Sequence, residues 1–124
     1  MNVPDQLEYT RSHEWIRQEE NIATIGITDY AQHMLGEIVS IGLPENGDTL
    51  YAGESFGTVK STEFVSVLCA PVGGEVVEVN EALFGAPWLI NGDPYGEGWI
   101  IKVLVTQKGD LLSADDYLLM YGYA

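Results

Sequence analysis

The chain has 124 residues, 46% of them hydrophobic, and its 19 Asp and Glu against 5 Lys and Arg give a formal net charge of −14. This length and hydrophobic content suffice for one folded core, so we expect a single domain over residues 1–124. The negative charge repels phosphate backbones and anionic membranes, which argues against nucleic-acid and membrane binding and leaves solubility or a basic protein partner as its role. We also expect no transmembrane helix and no secretory signal, because no apolar run is long enough and the first residues lack a basic region followed by an apolar one.

The first half of the chain predicts short strands around one short helix. Alternating polar and apolar residues predict strands over 12–17 and 22–27, joined into a hairpin by a turn at 19–21. Thr28 is a suitable helix N-cap, and apolar side chains at helical spacing follow it. Gly36 then ends a helix of about two turns, which packing must hold because isolated helices this short are unstable.

The second half predicts more short strands separated by turn residues. We expect, in order, a strand over 37–42, turns at 46–48 and 52–54, a hairpin over 56–70, a turn at 72–75 followed by a strand to residue 80, one helical turn within 81–90, a loop over 91–98, a strand over 99–105 and a helix over 114–119 capped by Ser113. Many short strands with close turns predict an all-β sandwich or barrel with small helices attached.

The hairpin over 56–70 is the most suggestive segment. Its two extended runs meet at residues 62–64, and strand alternation places Thr58 and Lys60 on the outward face of the first run. A hairpin tip is exposed and tolerates any side chain, so it is a natural place from which to present a group to a partner.

The chain shows no combination of residues typical of an active site or a metal centre. We expect Cys69 to be a buried structural thiol in the middle of a strand, and one cysteine with His13 and His33 is thin support for a metal site. The loop over 92–98 lacks a phosphate-binding pattern and carries two acids. We expect all three tryptophans to lie in the core or at its edge: Trp15, Trp88 and Trp99. The residues thus indicate a carrier, adaptor or binding module, not an enzyme.

Six segments resemble the glycine cleavage system H protein family, in family order and spacing, over about residues 8–120. They are 12–15, 26–32, 35–39, 43–48, 71–80 and 93–99, and residues 114–117 resemble the family's last helix. The resemblance implies a mainly β, lipoyl-domain-like barrel-sandwich hybrid with small added helices.

The resemblance also implies a role. Family members are carriers that hold lipoate in amide linkage to a hairpin lysine. The lipoyl arm takes aminomethyl from a pyridoxal-phosphate decarboxylase to a tetrahydrofolate-dependent aminomethyltransferase, and dihydrolipoamide dehydrogenase reoxidises it. A tethered arm suits this task because it visits several active sites at a high effective concentration.

The sequence departs from the family at the attachment site. The family reads Lys-Ala-Ala-Ser-Asp, and counting forward from residues 56–57 or back from 71–72 places Glu63 at the position of the lysine. A carboxylate cannot form the lipoyl amide. Lys60 falls where the family has glutamate, so we expect no lipoate to be bound covalently at the usual position.

Three interpretations of this departure stay open. The chain is a family member that is not lipoylated at the usual site; or Lys60 is an alternative attachment site, three residues before the tip; or Glu63 is a deliberate replacement of an original lysine. Phe64, Val65 and Val67 also differ from the family's residues, which argues against a single substitution. These three apolar side chains near an exposed tip could form a contact patch.

Two further site residues follow from the resemblance. It implies a cleft near residues 12–15 and the first helix, with Glu14 and Ser66 around the folded-back arm; ordinary surface polarity is the alternative for Glu14 and His33.

We therefore expect a glycine cleavage system H-protein-like carrier-family protein with partners of the glycine-cleavage or lipoate-ligase type. The alternative is a non-lipoylated binding or regulatory module that docks on the same partners. We expect a cytoplasmic location, or the mitochondrial matrix in a eukaryote, and the sequence leaves the oligomeric state open.

Overall fold

The structure is a computed structural model that describes residues 1–122, so the last two residues of the predicted domain lie outside the described residues. The strands are β1 (Glu8–Tyr9), β2 (Glu14–Glu19), β3 (Ile22–Ile27), β4 (Ile38–Gly42), β5 (Thr49–Leu50), β6 (Ser55–Ser61), β7 (Val65–Cys69), β8 (Val72–Val79) and β9 (Ile101–Lys108). The helices are α1 (Asp29–Leu35), α2 (Ala82–Gly85), α3 (Leu89–Gly92) and α4 (Ala114–Tyr121). Within residues 1–122, no helix is long and apolar enough to cross a membrane.

The strands form two antiparallel sheets. The larger sheet has the order β1-β2-β3-β9-β8-β5, and the smaller one has the order β4-β6-β7. The predicted mainly β fold with small helices is confirmed. The smaller sheet contains the predicted hairpin, so the candidate site lies on a three-stranded layer with β7 at its edge.

One apolar cluster joins the two sheets. It includes Ile25, Val76 and Val103 from the larger sheet and Val59 and Leu68 from the smaller one, all buried. In β6 the inward residues alternate with the exposed Thr58 and Lys60, as the sequence pattern predicts. Burial of one hairpin face therefore fixes which side chains the other face presents.

A second cluster holds α4 against the start of β2. It contains buried aromatic side chains from three elements, Tyr9, Trp15 and Tyr117, together with Leu7 and Ala114. The rings of Tyr9 and Tyr117 stack with their centroids 4.8 Å apart. The C-terminal helix is thereby placed beside residues 12–15, close to the candidate cleft.

The local predictions for the first half are close to the structure. The strand over 22–27 pairs with β2 as a hairpin, the Thr28 hydroxyl accepts a hydrogen bond from the Ala31 N–H at 3.2 Å, and Gly36 ends α1 with a φ of +83°. In the second half, the strand predicted over 99–105 is present but shifted, and runs from Ile101 to Lys108.

The predicted turn at 72–75 is wrong. These residues begin β8, and the ladder with β9 shifts register between Gly73 and Gly74. A Cβ at Gly74 would overlap the Leu104 carbonyl oxygen, so the glycine here permits a close approach of two strands at a bulge and not a chain reversal. The single helical turn predicted within 81–90 is α2, and a second short helix, α3, extends into the first residues of the predicted loop over 91–98.

Gly57 of β6 lies against the backbone of β4. A Cβ at this position would overlap the carbonyl oxygen of Gly42. We expect Gly57→Ala to destabilise the protein by about 2 kcal/mol, because the two backbones must separate to admit a methyl group. The matched control is Gly85→Ala at the end of α2, where, among residues 1–122, no atom beyond the neighbouring residues and the backbone of the helix itself lies within 4 Å of the new methyl group. Urea unfolding measures both variants, and equal midpoints would contradict the close approach.

Candidate functional site at the hairpin tip and its cleft

A tight turn closes the β6–β7 hairpin, and Ser61 organises it. The Ser61 N–H donates to the Phe64 carbonyl oxygen at 2.8 Å, and the buried Ser61 hydroxyl oxygen accepts from the N–H groups of Glu63 at 3.3 Å and Phe64 at 3.0 Å. The Thr62 N–H donates to the Glu37 carbonyl oxygen at 3.1 Å, which ties the tip to the chain before β4. The side chains of Thr62 and Glu63 are left exposed.

The groups at this turn do not fit covalent attachment of lipoate. A lipoyl amide needs an amine, and residues 61–64 are Ser, Thr, Glu and Phe. Lys60 has an amine, but it lies within β6, opposite Val65 of β7 and Ser40 of β4, with its side chain on the exposed face. The structure thus places Glu63 at the tip and Lys60 on the flank of the hairpin.

The predicted apolar side chains around the tip are exposed. Phe64, Val65 and Val67 all lie on the surface, although most large apolar side chains of the smaller sheet are buried. The role of these three residues as a contact patch stays a prediction.

A cleft of about 200 Å³ separates β7 from α1. Its walls include Glu14 and Ser66, which the sequence analysis placed at one site from 52 positions apart. The remaining lining is mostly apolar: Ile27, Tyr30, Ala31, Met34, Leu35, Val59, Val67 and Leu68, together with Ser12 and His13. The structure therefore brings Glu14 and Ser66 together; their role toward a lipoyl arm stays a prediction.

Glu14 is buried, with 1% of its surface exposed, so ordinary surface polarity is the wrong interpretation for this residue. One carboxylate oxygen accepts from the hydroxyls of Thr10 and Ser12, each at 2.6 Å, and the other accepts from the Cys69 N–H at 3.2 Å. Burial raises the pKa of the Glu14 carboxyl, and these three donors oppose that shift. Glu14 thereby joins the start of β2 to the end of β7, at the base of the hairpin.

His33 does not belong to the cleft. Its side chain is exposed on α1, and its Nε2 lies 3.5 Å from a carboxylate oxygen of Asp29 one turn earlier. Surface polarity therefore describes His33, unlike Glu14.

His13 lines the cleft too; the sequence analysis placed the cleft near residues 12–15 but did not name His13 as a site residue. Its ring is half-buried among Tyr30, Tyr117 and Tyr121, and its Nδ1 lies 2.8 Å from the Tyr117 hydroxyl. Burial lowers the pKa of the His13 imidazole. The contact joins residues 104 positions apart, and no local pattern could have indicated it.

Cys69 and Trp88 differ from their predictions. Cys69 ends β7, is only half-buried and lines a second cavity of about 390 Å³ with polar neighbours that include Lys108 and Asp110. Trp88 is 59% exposed because it lies at the start of the short helix α3, outside both apolar clusters. Trp15 is buried as expected.

The comparisons with known proteins all indicate the same family. The family model described as "Glycine cleavage H-protein" matches residues 7–120. The glycine cleavage system H protein of Carboxydothermus hydrogenoformans is 53% identical over 118 residues, covering 93% of this chain and 91% of that protein. The H protein of Bacteroides fragilis is 51% identical over 123 residues, covering 99% and 95%.

A solved structure extends the likeness to three dimensions. The crystal structure of a glycine cleavage system H protein from Mycobacterium marinum superposes with a TM-score of 0.93 at 43% sequence identity, over 97% of this chain and 99% of that one. The resemblance seen in the sequence is thereby confirmed along nearly the whole length. The chain belongs to the glycine cleavage H-protein family, whose members are carrier proteins and not themselves enzymes.

Proposed function

We infer that this chain, folded as one domain, is a glycine cleavage system H-protein-like carrier-family protein that is not lipoylated at the usual hairpin position. The observation that carries the proposal is the exposed turn over 61–64, which presents the carboxylate of Glu63 and no amine. Family membership supports the glycine-cleavage context. The two counts along the chain, which agree on Glu63, support its assignment to the attachment position.

The proposal also concerns partners and location. H proteins act with the other proteins of the glycine cleavage system, so we assign this chain to the same group of partners, with a lipoate ligase as a further candidate. Docking needs a surface and not a lipoyl arm, and the exposed apolar side chains of Phe64, Val65 and Val67 are available for it. We place the protein with these partners in the cytoplasm, or in the mitochondrial matrix of a eukaryote.

Lys60 offers the one competing carrier mechanism at this hairpin. Its side chain is exposed, which an attachment lysine requires. Its position inside β6, with strands on both sides, differs from a lysine in a free turn, so a ligase that reads a hairpin tip would meet it in the wrong geometry.

Intact-protein mass spectrometry tests the proposal directly. The purified chain is incubated with lipoate, ATP and a lipoate ligase beside the Bacteroides fragilis H protein as a positive control. We expect the relative to gain one lipoyl group and this chain to keep its mass. Added lipoyl mass on this chain would overturn the proposal, and its loss in a Lys60→Arg variant would assign the modification to Lys60.

A further inference from the structure

We propose that the free edge of β7 binds an extended, basic segment of a partner protein, which adds a fourth strand to the smaller sheet. The inference goes beyond the proposed function because it needs no lipoyl group. It starts from the sheet order β4-β6-β7, in which β7 has a neighbouring strand on one side only among residues 1–122.

Two hydrogen bonds show which backbone groups of β7 face the free edge. The Phe64 carbonyl oxygen accepts from the Ser61 N–H, so residue 64 faces β6. The Cys69 N–H instead donates to the Glu14 carboxylate, so residue 69 faces away from β6. In an antiparallel ladder, the backbone N–H and C=O groups of successive residues point alternately toward the partner strand and away from it. The backbone groups of Val65 and Val67 therefore point toward the free edge, as those of Cys69 do.

The outward backbone groups of Val65 and Val67 are available. Among residues 1–122, no hydrogen bond outside the β6–β7 ladder involves the backbone N–H or C=O of either valine. Only the Cys69 end of the edge is closed, by the Glu14 carboxylate, which takes the place of a carbonyl from a neighbouring strand. The remaining donors and acceptors have the pattern that an added strand pairs with.

This edge lacks the usual protection against strand addition. Natural edge strands carry charged residues, proline or bulges that prevent pairing with other chains. The sequence of β7 is Val-Ser-Val-Leu-Cys, without a charge or a proline, and the register shift in the β6–β7 ladder lies on the β6 side. Val65 and Val67 are 68% and 54% exposed. Such an apolar edge is suited to pairing.

The cleft next to β7 can receive side chains of the added strand. Successive side chains of a strand point to opposite faces of the sheet. On one face they would lie beside the exposed side chains of Val65 and Val67, the second of which also lines the cleft. On the other they would enter the 200 Å³ cleft lined by Ile27, Ala31 and Leu35, which favours an aliphatic residue there.

Charge decides between a partner and a second copy of this chain. The formal net charge is −14, and the exposed Glu37 and Glu63 flank the tip, where Lys60 is the local cation. In a symmetric antiparallel pairing centred on Ser66, each Glu63 would lie opposite Cys69 of the other copy, beside Glu14. Like charges would then meet at both ends, whereas a segment rich in Lys or Arg gains attraction along the same path.

Amide exchange measured by NMR tests the proposal with a defined probe. The probe is a short acetylated peptide of alternating lysine and valine, and the control peptide has glutamate in place of lysine. We expect the basic peptide to slow exchange of the Val65 and Val67 amides at least about tenfold and to leave the Ser66 amide, which faces β6, unchanged. The acidic peptide should have no effect.

Matched variants separate backbone pairing from side-chain contact. Val67→Pro removes an outward N–H that the β6–β7 ladder does not use, so binding should be lost, whereas Val67→Thr keeps the N–H and a β-branched shape and should still bind. Should the proline variant not fold, Val65→Lys combined with Val67→Lys repels the basic peptide without removing an N–H. Unprotected Val65 and Val67 amides at saturating basic peptide would overturn the proposal. Protection that instead rises with protein concentration alone would assign the edge to a second copy and overturn it as well.

Discussion

A Glu63→Lys variant is expected to be modified by lipoate ligase at least about tenfold more slowly than an H protein with an intact attachment segment, a loss of ~1.4 kcal/mol in transition-state stabilisation. The substitution supplies the missing amine at the exposed tip. It leaves the turn intact, because Ser61 binds the backbone N–H groups of residues 63 and 64 and not their side chains. The residues beside the new lysine still differ from those of the family's attachment segment, because Phe64 and Val65 present exposed apolar side chains there.

A segment replacement provides the matched control. Glu63→Lys combined with Phe64→Ala, Val65→Ala and Val67→Asp gives the family's Lys-Ala-Ala-Ser-Asp, with Ser66 already in place. We expect this variant to be modified at the rate of the relative, as read from intact mass over time. Complete modification of the single variant at the same rate would show that Glu63 alone blocks lipoylation. Failure of both variants would move the obstacle outside the hairpin.

The sequence predicted those helices and strands that are determined by residues a few positions apart. The β2–β3 hairpin follows from alternation over a few residues, and α1 from the N-cap Thr28 and the terminating Gly36. The turn predicted around Gly73-Gly74 is wrong for the opposite reason. These glycines permit a close approach to β9, which lies about thirty positions further along the chain. Local sequence cannot distinguish a glycine that reverses the chain from one that admits a neighbouring backbone.

The candidate site shows the same division. The exposure of the hairpin tip follows from alternation and turn residues, and its link to lipoate came from family resemblance. The burial of Glu14 depends on a contact with Cys69, 55 positions away, and on the hydroxyls of Thr10 and Ser12 just before β2. A glutamate at a strand start is usually a surface residue, and only the tertiary fold places this one beneath the hairpin.

Replacement of Glu14 by alanine is expected to destabilise the protein by ~2–4 kcal/mol, because three hydrogen-bond donors lose their acceptor in a buried site and a void remains. Glu14→Gln is the matched control and should lie within ~1 kcal/mol of the wild type. Its amide oxygen can accept from the Cys69 N–H, and its amide nitrogen can donate to the Thr10 and Ser12 hydroxyl oxygens after these rotate. Urea unfolding near neutral pH measures both differences, and an alanine variant as stable as the glutamine variant would contradict a structural role for the carboxylate.

The pH dependence gives this prediction a second readout. Burial raises the pKa of Glu14 above its ordinary value of 4.5, so between 4.5 and the folded-state pKa the folded protein holds a proton that the unfolded chain has released. The stability of the wild type relative to Glu14→Gln should therefore be highest below pH 4.5 and fall as the pH rises through that window, by up to about 1.4 kcal/mol per pH unit. A difference that stays constant with pH would mean that burial does not perturb the carboxyl group.

Hydrogen exchange of the Cys69 amide should become faster in the alanine variant and not in the glutamine variant. The Cys69 N–H loses its acceptor only in the alanine variant, and this loss frees the base of the hairpin that carries Glu63.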